Sequence, residues 1–173
     1  MSQEVFFEPD KFIVSKTDRT GKIQYVNQSF IDVSGFEMSE LIGRPHSLIR
    51  HDKMPRCIFK FFWDEIKQGK EFFAYVVNRC KNDDYYWVLA YVTPDVDGTT
   101  NEIIGYHSAR RVPAKSAVRF IEKLYSDLRD EEAKHSSKVK AVEAGERLFH
   151  SILSQTGMDY HELIYALEAG KEF

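Results

Sequence analysis

The chain has 173 residues, with 24 Lys and Arg against 27 Asp and Glu, a formal net charge of −3 and a pI near 6.1. That balance excludes the basic stripe of a nucleic-acid binder, and two cysteines, Cys57 and Cys80, are too few for a disulfide framework, which fits a reducing compartment. No uncharged apolar run approaches the roughly 20 residues of a membrane span, and the opening MSQEVFFEPD lacks the basic and apolar regions of a signal peptide. The expectation is a cytoplasmic protein that does not insert in a membrane and signals to one only through another protein.

Strand signals dominate up to about residue 112. Lys11 to Asp18 alternates apolar and polar, Arg19–Lys22 reads as a turn, and Ile23 to Asn27 returns, together a hairpin. Asn27 is a good cap for a helix over NQSFIDVSG, with Phe30, Ile31 and Val33 as its apolar face and Gly35 as its end. MSELIG is a second short helix, with Glu37 or Ser39 near its start and Gly43 at its end. Arg44 to Pro55 is irregular and holds two of the six histidines. Pro55 to Gly69 places Ile58, Phe59, Phe62, Trp63 and Ile66 at helical spacing.

Glu71 to Cys80 is a nearly continuous apolar strand, so both of its faces should be covered. KNDD turns into a second aromatic strand, Tyr85 to Pro94, and DVDGTTNE is a polar loop before a last strand, Ile103 to Val112. From Pro113 the period becomes helical. Ala117, Phe120, Ile121, Leu124 and Leu128 form one stripe; Val139, Val142, Leu148, Phe149, Ile152 and Leu153 form another. Gly157 breaks the run, and Asp159 with Glu162 opens a last helix. No internal repeat or long linker is present. The division is therefore an N-terminal segment 1–10, a mixed α+β domain 11–112 and a helical extension 113–173, with the early helices on one face of a five-stranded antiparallel sheet.

The string YVNQSFIDVSGF resembles the opening signature of PAS domains. The stretch GRPHSLIRHDKMP, then Trp63, then VNRCKNDDYYWVLAYVTP and IIGYHSARR, is similar to the aerotaxis-receptor (Aer) type of PAS domain over about residues 10–112. Lacking a membrane segment, a HAMP-like linker and a long signalling coiled coil, the chain looks more like the stand-alone PAS subunits of bipartite energy-taxis systems (the CetB type). The resemblance implies an FAD-binding PAS fold that relays flavin redox state to a membrane-bound chemotaxis-type receptor. A homodimer is expected, since many PAS domains dimerise. The family segment usually carries Pro directly after Arg-His, where this chain has Asp52, so the loop should be freer in φ.

The resemblance assigns cofactor-binding roles residue by residue. Arg50 and His51 would face the phosphates or the adenosine side, against the blander readings of a surface salt bridge and a capping or solvated histidine. Asn78 would pair with the flavin ring edge, because an amide both donates and accepts; otherwise it is an Asn at a strand end. Asn27 would be a helix cap that also reaches the cofactor, and His46 is family-like in position. Trp63 and Trp87 are core filler or ring contacts, Trp87 with the better claim, and Phe72 and Tyr91 lie on the strands that would wall the pocket.

No enzymatic arrangement stands out: there is no Gly-rich phosphate loop, nucleophile elbow or zinc motif. Cys80 does not sit in the Asn-Cys-Arg-Phe-Leu-Gln type of motif that forms a light-driven flavin adduct. Two other readings stay open. A haem-binding gas sensor usually has a His on the long helix, and residues 55–69 contain none. A cofactor-free interaction module would use the amphipathic C-terminal helices.

Overall fold

The computed structural model describes residues 2–171 and 173. Two compact units divide them. One contains residues up to 51 together with 64–112; the other contains 52–63 and 113–173.

The first unit is built on five antiparallel strands in the order β2-β1-β5-β4-β3. They are β1 (Ile13–Asp18), β2 (Ile23–Val26), β3 (Phe72–Arg79), β4 (Tyr85–Val96) and β5 (Ile103–Arg111). Helices α1 (Gln28–Ser34) and α2 (Met38–Leu41) and a 3-10 turn (His46–Ile49) come between β2 and β3. This is the expected α+β arrangement.

Local chemistry explains the starts and stops. Asn27 caps α1, its side chain accepting from the Phe30 amide, and Gly35 ends the helix in the left-handed region at φ 72°. The buried face of α1 is Phe30 and Ser34 rather than the expected Ile31 and Val33. Glu37 and Glu40 form a reciprocal capping box on α2. Gly105 in β5 stands where a Cβ would lie 2.2 Å from the Thr17 carbonyl oxygen, so no other residue fits that approach of β5 to β1.

Strand β4 runs past Pro94, the end expected from the sequence, to Val96. Its register with β3 stops at Phe72 opposite Val92, while Pro94 pairs with Tyr106 of β5. Beyond Val92 the β3 side of β4 is an edge, where the missing Pro N–H removes no ladder bond. The N-terminal segment is tied to the other end of β4 by Val5 N–H to Tyr85 O at 2.7 Å and Tyr85 N–H to Gln3 O at 3.0 Å.

Register assigns each side chain to a face. One face carries Ile13, Ser15 and Thr17 of β1; Tyr106, Ser108 and Arg110 of β5; Tyr86, Val88, Ala90 and Val92 of β4; and Phe72, Ala74 and Asn78 of β3, all of them buried. Phe30 of α1 and His46 of the 3-10 turn lie over it, as their contacts with Arg110 show. The opposite face carries Tyr75, Val77, Trp87 and Leu89, also buried, so the middle of β3 and β4 is covered on both sides.

The second unit contains α4 (Lys115–Ala133), α5 (Lys138–Thr156) and α6 (Tyr160–Glu168) with residues 52–63, the larger part of α3 (Arg56–Ile66). Leu128, Ile121 and Ala117 of α4, Ala141 and Phe149 of α5 and Leu163 of α6 are fully or nearly fully buried. Phe61 of α3 meets Phe149 at 5.8 Å and Tyr160 edge-on at 5.2 Å. The buried seam of α5 is Ala141, Ala144, Gly145, Phe149 and Leu153, whereas Val139, expected in its stripe, is 67% exposed. Small residues mark that seam because neighbouring elements approach it closely, a cue a hydrophobicity count misses. Among the described residues no helix is long and apolar enough to cross a membrane.

Candidate functional site

The polar side chains of the helix-covered sheet face form one constellation. Arg110 on β5 is only 4% exposed. One of its terminal nitrogens, Nη2, donates to Ser15 Oγ at 2.9 Å and to His46 Nε2 at 2.7 Å. Its guanidinium carbon stands 5.6 Å from the centre of the Phe30 ring. No carboxylate pairs with it among the described residues, so the cation rests on a hydroxyl, an imidazole and an aromatic face. Burial lowers its pKa to about 10, which still leaves it charged near neutrality.

His46 is the complement. Burial, and then the Arg110 charge, bring its pKa down to about 3. It is therefore neutral, with Nε2 the acceptor and the proton on Nδ1. Its ring stands edge-on to Phe30 at 6.2 Å.

Among the described residues, four buried polar atoms on this face have no hydrogen-bond partner: Asn78 Nδ2, Tyr86 Oη, Ser108 Oγ and Arg110 Nη1. Asn78 and Tyr86 are directly opposed across β3 and β4, and Ser108 and Arg110 follow on β5. The Asn78 amide lies toward the Tyr86 hydroxyl closely enough to favour its ionised form slightly, but without hydrogen-bond geometry. Burial dominates, raising the Tyr86 pKa, so the phenol keeps its proton. Leaving such a group unpaired costs about 1–3 kcal/mol each. Four on one face is a concentration that a self-contained core avoids. All four can donate, and together they suit a ligand rich in acceptor atoms.

The other residues singled out from sequence fall into three groups. Asn78 and Phe72 share this sheet face, and His46 lies over it. Arg50 ends the 3-10 turn, and its backbone bridges antiparallel to Asn78, bringing it beside β3. His51 follows it, its ring 5.4 Å from that of Tyr85.

The Asn27 side chain bonds the local backbone. Its Oδ1 accepts from the Val14 amide at 3.0 Å and the Phe30 amide at 3.1 Å, and its Nδ2 donates to the Phe12 carbonyl at 2.8 Å. It splices α1 to β1.

Trp87 and Tyr91 are on the opposite face. Trp87 pairs with Val77, one register step from Asn78, and Tyr91 stacks on Phe73 at 4.5 Å and donates to Glu71 at 2.5 Å. Trp63 belongs to the helical unit, against Phe62 at 5.5 Å.

Sequence reading missed Arg110, Tyr86 and Ser108. Tyr106, Ser108 and Arg110 share one phase of β5, a pattern visible in IIGYHSARR, but only register shows that this phase is the one Asn78 shares. Among the described residues no group of three or more His, Cys, Asp or Glu could hold a metal ion.

The chain belongs to the PAS-fold family, whose model matches residues 23–109, half of the chain. It is similar to the aerotaxis receptor of Escherichia coli K12, with 37% identity over 119 residues, 69% of this chain and 23% of that protein. The bacterioopsin transcriptional activator of Halobacterium salinarum is 26% identical over 96 residues, 54% of this chain and 14% of that protein. The chain thus spans less than a quarter of each of these two relatives. Two solved light-oxygen-voltage domains share the fold. One, from a study of a flavin analogue, has a TM-score of 0.56 at 17% identity and covers 67% of this chain and 86% of its own. The light state of the aureochrome1 domain has a TM-score of 0.54 at 16% identity, covering 69% and 90%. The chain thus carries a PAS-fold domain similar to part of the aerotaxis receptor, and it shares its fold with light-oxygen-voltage domains.

Proposed function

We propose that this chain is a redox sensor that holds FAD against the helix-covered face of its sheet and relays the flavin's redox state to a chemotaxis-type receptor. The observation that carries the reading is the set of four buried, unpartnered donors, Asn78 Nδ2, Tyr86 Oη, Ser108 Oγ and Arg110 Nη1, on that one face. An isoalloxazine ring presents carbonyl oxygens and ring nitrogens as acceptors at its polar edge, so the donor set fits it. The 37% identity to an aerotaxis receptor supports the same choice.

In this reading Asn78 and Tyr86 hold the ring edge, and Arg110 supplies positive charge close by. Phe30 and Phe72 offer apolar surface. Arg50 and His51, leading out of the 3-10 turn, serve the phosphate end. A bound flavin supplies a redox couple whose hydrogen-bonding pattern and charge differ between its two states. The chain's own part is to register that difference: an Asn78 amide that donates to one state is repelled or turned by the other. The neighbouring backbone bridge between Asn78 and Arg50 is where such a turn leaves the sheet. In solution the chain is proposed to be a homodimer in the cytoplasm, without catalytic activity of its own.

The test is an absorption spectrum of the purified protein, before and after chemical reduction. A flavin spectrum that bleaches on reduction is the expected result. A colourless preparation that cannot be reconstituted with FAD would overturn the reading, and a Soret band would replace it with haem. Against haem stands His46, whose Nε2 is already the acceptor for Arg110.

A further inference from the structure

Helix α3 begins without a cap of its own. Pro55 stands before Arg56 and has no polar side chain, so the amides of the first turn need an acceptor from elsewhere. It comes from α4. Glu132 Oε2 accepts from the Arg56 amide at 3.1 Å and Oε1 from the Cys57 amide at 2.8 Å, across 76 and 75 residues of sequence.

Glu132 is 7% exposed and Cys57 1% exposed. Burial, and then the neighbouring Glu132 carboxylate, raise the pKa of the Cys57 thiol, so it stays protonated. Gly145 of α5 completes the junction, for a Cβ there would lie 2.8 Å from Cys57 Sγ and 3.1 Å from Glu132 Oε1. Two ion pairs flank it, Lys53 to Glu122 and Lys60 to Glu146, both at 2.9 Å.

We propose that Glu132 is a latch: the C-terminal helices supply the N-terminal cap of α3, and its release frees residues 52–57 while α4 to α6 stay folded. The carboxylate faces the positive end of the α3 dipole and satisfies two amides at once, which makes the closed state strong. It is also one side chain holding one turn, so it opens as a unit. Its position gives it a use. The backbone of Arg50 is bridged to Asn78 in the sheet unit, and two residues later the chain enters the helical unit at Asp52. A displacement of β3 at Asn78 therefore arrives along the chain at the turn the latch holds. The latch stands on Glu132 and Gly145 and does not depend on which ligand the sheet face takes.

Amide hydrogen exchange on the full chain, resolved by NMR, tests it. In the parent protein the Arg56 and Cys57 amides should exchange through a local opening insensitive to low denaturant. Glu132→Ala should speed both at least tenfold while amides in the centres of α5 and α6 keep their rates. Glu132→Gln, which keeps one acceptor oxygen, should speed one of the two more than the other. Gly145→Ala, which pushes on Cys57 Sγ, should speed the same pair and carries the test if Glu132→Ala does not fold. Unchanged protection of Arg56 and Cys57 would overturn the latch. So would an equal acceleration throughout α4 to α6, which would make Glu132 a general core support.

Discussion

Replacing Arg110 by Met separates ligand binding from stability. A buried cation without a counter-charge carries a desolvation penalty of several kcal/mol. Its offsets here are two charge-assisted hydrogen bonds, to Ser15 at 2.9 Å and His46 at 2.7 Å, about 1.5–3 kcal/mol each, and the Phe30 face, about 2 kcal/mol when desolvated. Nη1 remains unpaired, a further cost of about 1–3 kcal/mol. These terms are of similar size and opposite sign, so the guanidinium contributes little net stability to the ligand-free chain. Methionine fills a similar volume, and Ser15 Oγ and His46 Nε2 keep the hydrogen bond they already make at 3.3 Å when Arg110 is gone. Replacing a whole buried ion pair by apolar side chains of similar volume is often neutral or stabilising by about 1–4 kcal/mol, and a cation with no counter-charge has still less attraction to lose. Urea unfolding of the flavin-free Arg110→Met protein should therefore show equal or greater stability. FAD titration of the same variant should show affinity weakened at least tenfold, about 1.4 kcal/mol. A variant that loses more than about 3 kcal/mol of stability yet binds FAD as before would refute the reasoning and make Arg110 a structural residue.

The remaining predictions use other parts of the sheet unit. Because the native pKa of His46 is depressed to about 3 from 6.5, the unfolded chain takes up a proton below pH 6.5 that the native chain refuses. Stability should be complete above pH 6.5 and fall by up to about 1.4 kcal/mol per pH unit on acidification towards pH 3, and His46→Gln should flatten that limb in acid-unfolding curves. Asn78→Ala should shift the flavin absorption bands or abolish binding, whereas Trp87→Phe, on the opposite sheet face, should leave the spectrum unchanged; the reverse pattern would place the ligand on the other face. Asn27→Ala removes a helix cap worth about 0.5–2 kcal/mol and leaves the Val14 amide and Phe12 carbonyl without their partner, so thermal denaturation should show a loss of at least 2 kcal/mol. Gly105→Ala should fold poorly or not at all, since its methyl meets the Thr17 carbonyl oxygen at 2.2 Å; circular dichroism decides it.

The elements of the sheet unit are legible in the sequence because their signals are local. Asn27 and Gly35 bound α1, Gly21 makes the first turn, and Asn82 and Asp83 lie in the turn between β3 and β4, Asp83 at φ 68°. The candidate site is legible only in part. Asn78 stands out as an amide in an apolar strand, and His46 and Arg50 stand out in an irregular segment. That Trp87 and Tyr91 lie on the face opposite Asn78 is not legible in the sequence, because β4, YYWVLAYV, is apolar in both phases. A strand buried on both faces has no alternation to say which residues point together. Arg110 is hidden for a related reason: an arginine near a strand end reads as a solvated cation, and its burial follows from Phe30 and His46 closing over it.

Composition, turn residues and period determined by themselves that this chain forms an antiparallel sheet with short helices inserted between its second and third strands, followed by a helical extension; each of those signals acts within a few residues. Tertiary structure alone decided that Asn78, Tyr86, Ser108 and Arg110 share a face, and that Glu132 caps a helix 75 residues before it. Strand register and the close approach of distant helices are set by the packing of the whole, and no local stretch of sequence contains the partner that defines them.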